Sequence, residues 1–274
     1  MELTIGLSVA VVLMAGLCLY LSVSIGVGYG TILTPLLLII GFTPLQVVPA
    51  VLVSQVLGAT VGGLAHHRVG NIKLDFRQDS ELVKKRLRGL GYMPRSNDAK
   101  VVFILVICGI AGVLLGAFTA LNISMIILET YIGVMVLGVG LAVLLRRSRK
   151  NAMSWSALIV MGIVGAFNKG MTSGGYVPLV TGGQIVGGRE AKCSIASTSL
   201  AVGIIGAVGF LSYVLVAEGN IYWWMAAATS IGAVIAAPLG AFSVKKISGE
   251  KIKLVIGITT TILGALTLIR VFIF

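Results

Sequence analysis

Phe167-Asn-Lys-Gly-Met-Thr-Ser-Gly-Gly-Tyr-Val-Pro-Leu179 sets one lysine, three glycines and one proline inside an otherwise apolar segment. Glycine and proline interrupt helices, and a cation away from water is expensive. Together they predict an unwound backbone around a buried polar site, with an anion as the natural occupant. Around this stretch, 57% of the 274 residues are hydrophobic and only 11% are charged. That balance excludes an ordinary soluble domain and predicts an all-α, polytopic membrane protein.

Working outward, the second half reads as an interrupted stretch over about 155–187, a polar turn with Arg189, Glu190 and Lys192, and spans near 191–217, 221–243 and 254–274. The first half follows the same plan. An apolar run meets Gly26-Val-Gly-Tyr-Gly30, continues over Thr31 to Ile40 and turns at Gly41-Phe-Thr-Pro44. Because about 20 residues are needed to cross the hydrocarbon, Thr31 to Ile40 is too short to span alone. Residues 3–41 are therefore predicted to form a first broken hairpin, followed by spans at about 45–66, 101–121 and 122–145. The repeats are predicted at 1–145 and 146–274. Pro35 and Pro178 lie 143 positions apart, about half the chain (178 − 35).

The net charge of +12 sits in short gaps between apolar runs, which speaks for positive-inside topology rather than a nucleic-acid partner. Arg68 to Lys100 carries nine Lys/Arg against four acids, and Asp79-Ser80 is predicted to cap a short basic amphipathic helix there. If both interrupted stretches return to the face they enter, 19 of the 21 Lys/Arg fall on the cytoplasmic side, leaving Lys169 in a hairpin and Arg270 near the outer end. The expected location is the plasma membrane, multi-pass, with both termini outside and loops 67–100 and 146–153 cytoplasmic. A hairpin plus three spans is an odd number of crossings, so the halves are predicted to be inverted repeats.

The candidate substrate-binding residues follow from the hairpins. Lys169 supplies charge. Asn168, Thr172, Ser173, Tyr29, Thr31, Thr34, Ser54 and Gln55 supply hydrogen bonds, and Gly170, Gly174, Gly175, Gly28 and Gly30 let backbone amides approach an oxyanion. Ser197 and Ser199 lie on the helix after the second hairpin. Glu129, the carboxylate inside a predicted span, is the candidate for proton coupling. The single cysteines, Cys18, Cys108 and Cys193, have no metal-ligand spacing. His66 and His67 are adjacent and so point to different helix faces, which argues against a shared metal; both are read as interfacial. No cofactor is expected. The partners implied are a small anionic substrate and the lipid bilayer, with no nucleic acid; a homodimer is compatible with the sequence.

Gly26-Val-Gly-Tyr-Gly30 with Pro35-Leu36, and Ser173-Gly-Gly-Tyr-Val-Pro178, each followed by a turn and a Ser/Thr-bearing helix, resemble the TauE/SafE family of sulfite exporters. The resemblance spans the whole chain. It implies secondary transport of sulfite, organosulfonates such as sulfoacetate, or related small anions, and points to the two glycine-rich hairpins and their following helices. Three other readings stand beside it. A passive anion channel would share the site, and an interaction module would act through the basic 68–100 loop. An intramembrane enzyme would need a nucleophile with its base, which the spans do not offer.

Overall fold

A computed structural model describes residues 5–78, 92–94, 96–145, 154–216, 221–244 and 249–273. The helix expected after Asp79-Ser80 and the clusters at 146–150 and 245–246 lie outside these residues. Within them the chain forms α1 (Ile5–Ile25), α2 (Tyr29–Ile40), α3 (Pro44–Arg68), α4 (Asn97–Leu121), α5 (Met125–Leu145), α6 (Trp155–Thr172), α7 (Tyr176–Val186), α8 (Ala191–Val216), α9 (Trp223–Ser243) and α10 (Gly249–Ile273). A two-stranded antiparallel ribbon, Phe76–Gln78 with Tyr92–Pro94, is the addition to an otherwise all-helical fold.

Six of these helices are long and apolar enough to cross a membrane: α1, α3, α4, α5 over Met125–Ala142, α8 over Ala191–Leu215, and α9. α10 carries a shorter apolar stretch, Gly257–Ile269. The large apolar side chains that point outward, such as Ile126 at 72% and Leu215 at 81% exposure, are lipid-facing in such a body. The interior is correspondingly polar in places, with Ser54, Gln184, Thr198 and Lys169 at 0–1% exposure.

The hairpins form where the sequence breaks. α1 ends at Ile25 and α2 starts at Tyr29, joined by Gly26-Val27-Gly28; α6 ends at Thr172 and α7 starts at Tyr176, joined by Ser173-Gly174-Gly175. In both links the first and third residues have positive φ: 82° and 96° in the first, 58° and 77° in the second. The elements repeat at a spacing of 147 positions, since helix ends 25 and 172, and helix starts 29 and 176, and 44 and 191, correspond. Pro35 and Pro178 are therefore not equivalent. Pro178 is the third residue of α7, where no intrahelical donor is needed, whereas Pro35 lies mid-way along α2.

Packing relates the halves as well. α1 packs on α9 as α6 packs on α4, α3 on α9 as α8 on α4, and α3·α8 and α5·α10 close the set. Contacts at small residues give the directions. Gly58 and Gly62 of α3 face Leu19 and Val23 of α1, while Gly232 and Gly240 of α9 face Gly16 and Tyr20, so these three helices run one way. Gly112 and Gly116 of α4 face Ile163 and Phe167 of α6, and Gly109 and Val113 of α4 face Ile205 and Gly209 of α8, so those three run together. Gly203 and Gly63 meet Thr60 and Leu200 in the opposite order, which sets α8 antiparallel to α3. Helices at corresponding places in the two halves thus run in opposite directions.

α1 at 21 residues is longer than half a crossing, spanning about 31 Å at 1.5 Å per residue. The tips consequently pass each other instead of meeting end to end. Gly26 abuts Thr181 of α7, and Ser173 abuts Gly30 of α2, so α2 and α7 overlap side by side.

Candidate functional site

The site is the crossing of the two breaks. A Cβ on Gly30 would lie 2.0 Å from the Ser173 carbonyl oxygen, and one on Gly174 would lie 3.0 Å from backbone atoms of Gly30 and Thr31. Only backbone without side chains fits this approach. The hydroxyls stitch it: Thr34 Oγ1 and Ser173 Oγ are 2.6 Å apart, and Gly175 N donates to Thr31 Oγ1 at 2.9 Å. Gly174 N donates to Thr172 Oγ1 at 3.1 Å. The amides freed by the second break are thus held by neutral hydroxyl oxygens.

Lys169 sits one turn before the break at 1% exposure. Its Nζ donates to Gln55 Oε1 of α3, and Gln55 Nε2 donates in turn to the Ser173 carbonyl at 3.2 Å. Gln55 is therefore a bridge between the cation and the break. Among the described residues no carboxylate pairs with Lys169. Asn168 Oδ1 accepts from Tyr131 of α5, and the Gly170 carbonyl accepts from Tyr213 of α8 at 2.9 Å. Those two tyrosines, 37 and 43 positions from their partners, escape sequence reading because nothing local links them to the hairpin.

Tyr29 leaves the first break on its far side. Its hydroxyl meets Ser54 Oγ at 2.9 Å and donates to the Thr229 carbonyl at 3.5 Å. Gly28 abuts Pro178 and Thr31. The crossing thus gathers Gly28, Gly30, Thr31, Thr34, Gln55, Asn168, Lys169, Thr172, Ser173, Gly174 and Gly175, with Tyr29 and Ser54 on its far side; Gly170 instead packs against Val113 and Ala117 of α4. Ser197 lies elsewhere, beside Gln184 and Arg189 near the end of α7, and Ser199 is buried at 4% exposure on α8. Glu129, in the second turn of α5, is half-buried and makes no ion pair with Lys169 among the described residues.

The histidines differ from expectation. His67 faces outward, but His66 is at 0% exposure, donating from Nε2 to the Val23 carbonyl at 3.0 Å while Asn71 Nδ2 donates to its Nδ1 at 2.9 Å. Adjacent helix positions point apart, and here one of them points into the bundle. Among the described residues no cluster of His, Cys, Asp or Glu could hold a metal.

An all-helical body with two crossed helix breaks and six helices long and apolar enough to cross a membrane is a polytopic membrane protein. The sequence profile described as Sulfite exporter TauE/SafE matches residues 87–267, and the chain belongs to that family. The matched span includes the second break with Lys169, while the first break precedes it. The chain is also 23% identical over 260 residues, 90% of its own length and 78% of the relative's, to a protein of Bacillus subtilis (strain 168) described as Probable membrane transporter protein YtnM. No solved structure matches the chain.

Proposed function

We propose that this protein is a secondary transporter of a small oxyanion, sulfite or an organosulfonate such as sulfoacetate, bound where the two breaks cross and moved by alternating access. The observation that carries the reading is Lys169: a cation at 1% exposure whose described partner is a neutral carboxamide. A buried charge is stable only when compensated, and an anionic substrate supplies the compensation. Thr31, Thr172 and Gln55 hold the site's donors with neutral acceptors. An anion's oxygens displace them in favour of charge-assisted bonds, which are about twice as strong.

Alternating access follows from the two halves, taken here as inverted repeats over 1–145 and 146–274. Corresponding helices of opposite direction support that division. The orientation proposed places 67–100, 146–153 and Arg189 in the cytoplasm, with both termini outside. It is supported by the positive-inside count and by the Arg189–Asp98 ion pair, which joins two of those segments at one face.

Reconstituted protein should move labelled sulfite or sulfoacetate into proteoliposomes with saturation and with counterflow against a gradient. Flux that is neither saturable nor concentrative would make the protein a channel. Reporter fusions at residue 189 and at the C-terminus should fall on opposite faces; finding them on the same face would end the inverted-repeat reading.

A further inference from the structure

Away from the crossing, the richest polar cluster closes the end of α7. Arg189, in the α7–α8 link, donates to Gln184 Oε1, to Ser197 Oγ at 3.1 Å and to Asp98 Oδ1 in the first turn of α4. The Arg189 and Asp98 side chains are only 13% and 18% exposed. Gln184 Nε2 donates onward to Thr198 Oγ1 at 2.9 Å. One turn nearer the breaks, Thr181 is at 0% exposure, its hydroxyl has no partner, and its side chain abuts Gly26. Polar groups therefore continue from the crossing to Arg189.

The corresponding corner of the other half is built differently. The 147-residue spacing carries Gln184, Arg189, Ser197 and Thr198 back onto Leu37, Phe42, Ala50 and Val51, all buried and apolar. Phe42 there packs against Tyr222, just before α9, with ring centroids 6.5 Å apart. α4 and α9 correspond at 124 positions, because Gly116 faces the Phe167 carbonyl as Gly240 faces the Tyr20 carbonyl, and on that count Tyr222 stands for Asp98. Apolar contact is enough to fasten this corner. The ionic version costs desolvation and is not needed as a staple. What it adds is a cation that can change partners.

We propose that Arg189 is a second anion station, kept shut by Asp98. The Asp98 carboxylate occupies the place of the anion, and its release opens the way along Gln184 and Thr181 to the crossing. Oδ2 of Asp98 accepts from Lys73 N at 3.0 Å, so the carboxylate keeps a partner when Arg189 lets go. The ligand class is the small oxyanion of the central site, and the inference rests on the transport reading in that respect.

The test reads access without any flux. Thr181→Cys is placed in a chain with Cys18, Cys108 and Cys193 changed to Ala; the exchange puts a thiol in place of a hydroxyl that has no partner and removes only the γ-methyl beside it. Its reaction with an anionic sulfonatoethyl thiosulfonate is compared with that of the cationic trimethylammonium analogue. Asp98→Asn should speed the anionic reagent by roughly tenfold, as expected for loss of a charge-assisted bond, and the cationic one much less. Adding Arg189→Gln should erase the charge preference. Should Asp98→Asn fail to fold, Arg189→Lys keeps the charge but shortens the reach, and should give an intermediate rise with the preference retained. Unchanged rates overturn the latch, and equal rises for both reagents overturn the anion station. Neither result touches the central site, which Lys169→Met flux measurements judge separately.

Discussion

The two breaks have one backbone shape and two chemistries. Each is a three-residue link with positive φ at its first and third positions, and each rests against the half-helix of the other. The second carries Lys169, whereas 147 positions earlier the first has Ser22, and the second break's Asn168 answers to Leu21. Backbone shape is shared because both links must reverse a helix inside the packed body, where unpaired amides need a defined partner. On the proposed anion site one cation suffices, and a second buried cation would add desolvation cost and repulsion.

The largest effect expected from this contrast is at Lys169. Lys169→Met should lower sulfite or sulfoacetate flux in proteoliposomes by tenfold to a hundredfold, matching the ~1.5–3 kcal/mol of a hydrogen bond to a charged group. Its melting temperature in detergent should hold or rise, since an uncompensated buried charge is replaced by an apolar side chain of similar length. Ser22→Ala in the first break should leave flux unchanged. If Ser22→Ala matched Lys169→Met in flux, the one-sided assignment would be wrong.

The next effect is on the crossing itself. Gly30→Ala drives a methyl to 2.0 Å from the Ser173 carbonyl oxygen, backbone against backbone, and should cost about 3 kcal/mol of stability. Gly174→Ala meets its neighbours at 3.0 Å and should cost less, about 1 kcal/mol. Thermal melting of the two variants in the same detergent gives the order, and the reverse order would mean that the breaks do not cross as described.

A smaller effect separates the two tyrosines that follow the breaks. Tyr29 bonds Ser54, while Tyr176, its counterpart at 1% exposure, has a hydroxyl with no partner because Ala201 stands where Ser54 does. Tyr29→Phe should lose about 1 kcal/mol. Tyr176→Phe should be neutral or gain up to ~1 kcal/mol, by removing an unsatisfied buried hydroxyl. Equal losses in both would show that the halves are polar alike.

The sequence made the breaks legible because glycine, proline and lysine are conspicuous against an apolar background, and five of the six expected spans are span-length helices; the sixth, 254–274, carries the shorter apolar stretch Gly257–Ile269, while α1, expected within a hairpin, is span-length. Three things were not legible. The prolines suggested a spacing of 143, but a proline near a helix start and one mid-helix mark a hairpin without marking the same position. α1 reads in the sequence only as one arm of the broken hairpin 3–41, and its full 21 residues carry the tip past the other. Arg189 and Asp98 are 91 positions apart, on a turn and a helix start that only the packing of α4 against α8 brings together. Local pattern reports what a segment buries; partners across such separations are set by which helices pack.

The smallest expected difference concerns Ser173, the non-glycine residue with positive φ among those described, at 58°. Its side chain approaches Thr34 Oγ1 at 2.6 Å and donates to the Thr172 carbonyl at 2.6 Å. Ser173→Ala removes the hydroxyl and keeps the left-handed strain of about 1 kcal/mol; Ser173→Gly removes both, at the cost of a looser unfolded chain. Ser173→Gly should therefore be more stable than Ser173→Ala, by about 0.5 kcal/mol once the unfolded-state term is deducted. Gly26 holds the corresponding place in the first break and needs no hydroxyl there, which is why the serine is read as serving the site and not the turn. If the two variants melt together, strain at Ser173 is negligible and the hydroxyl alone explains its presence.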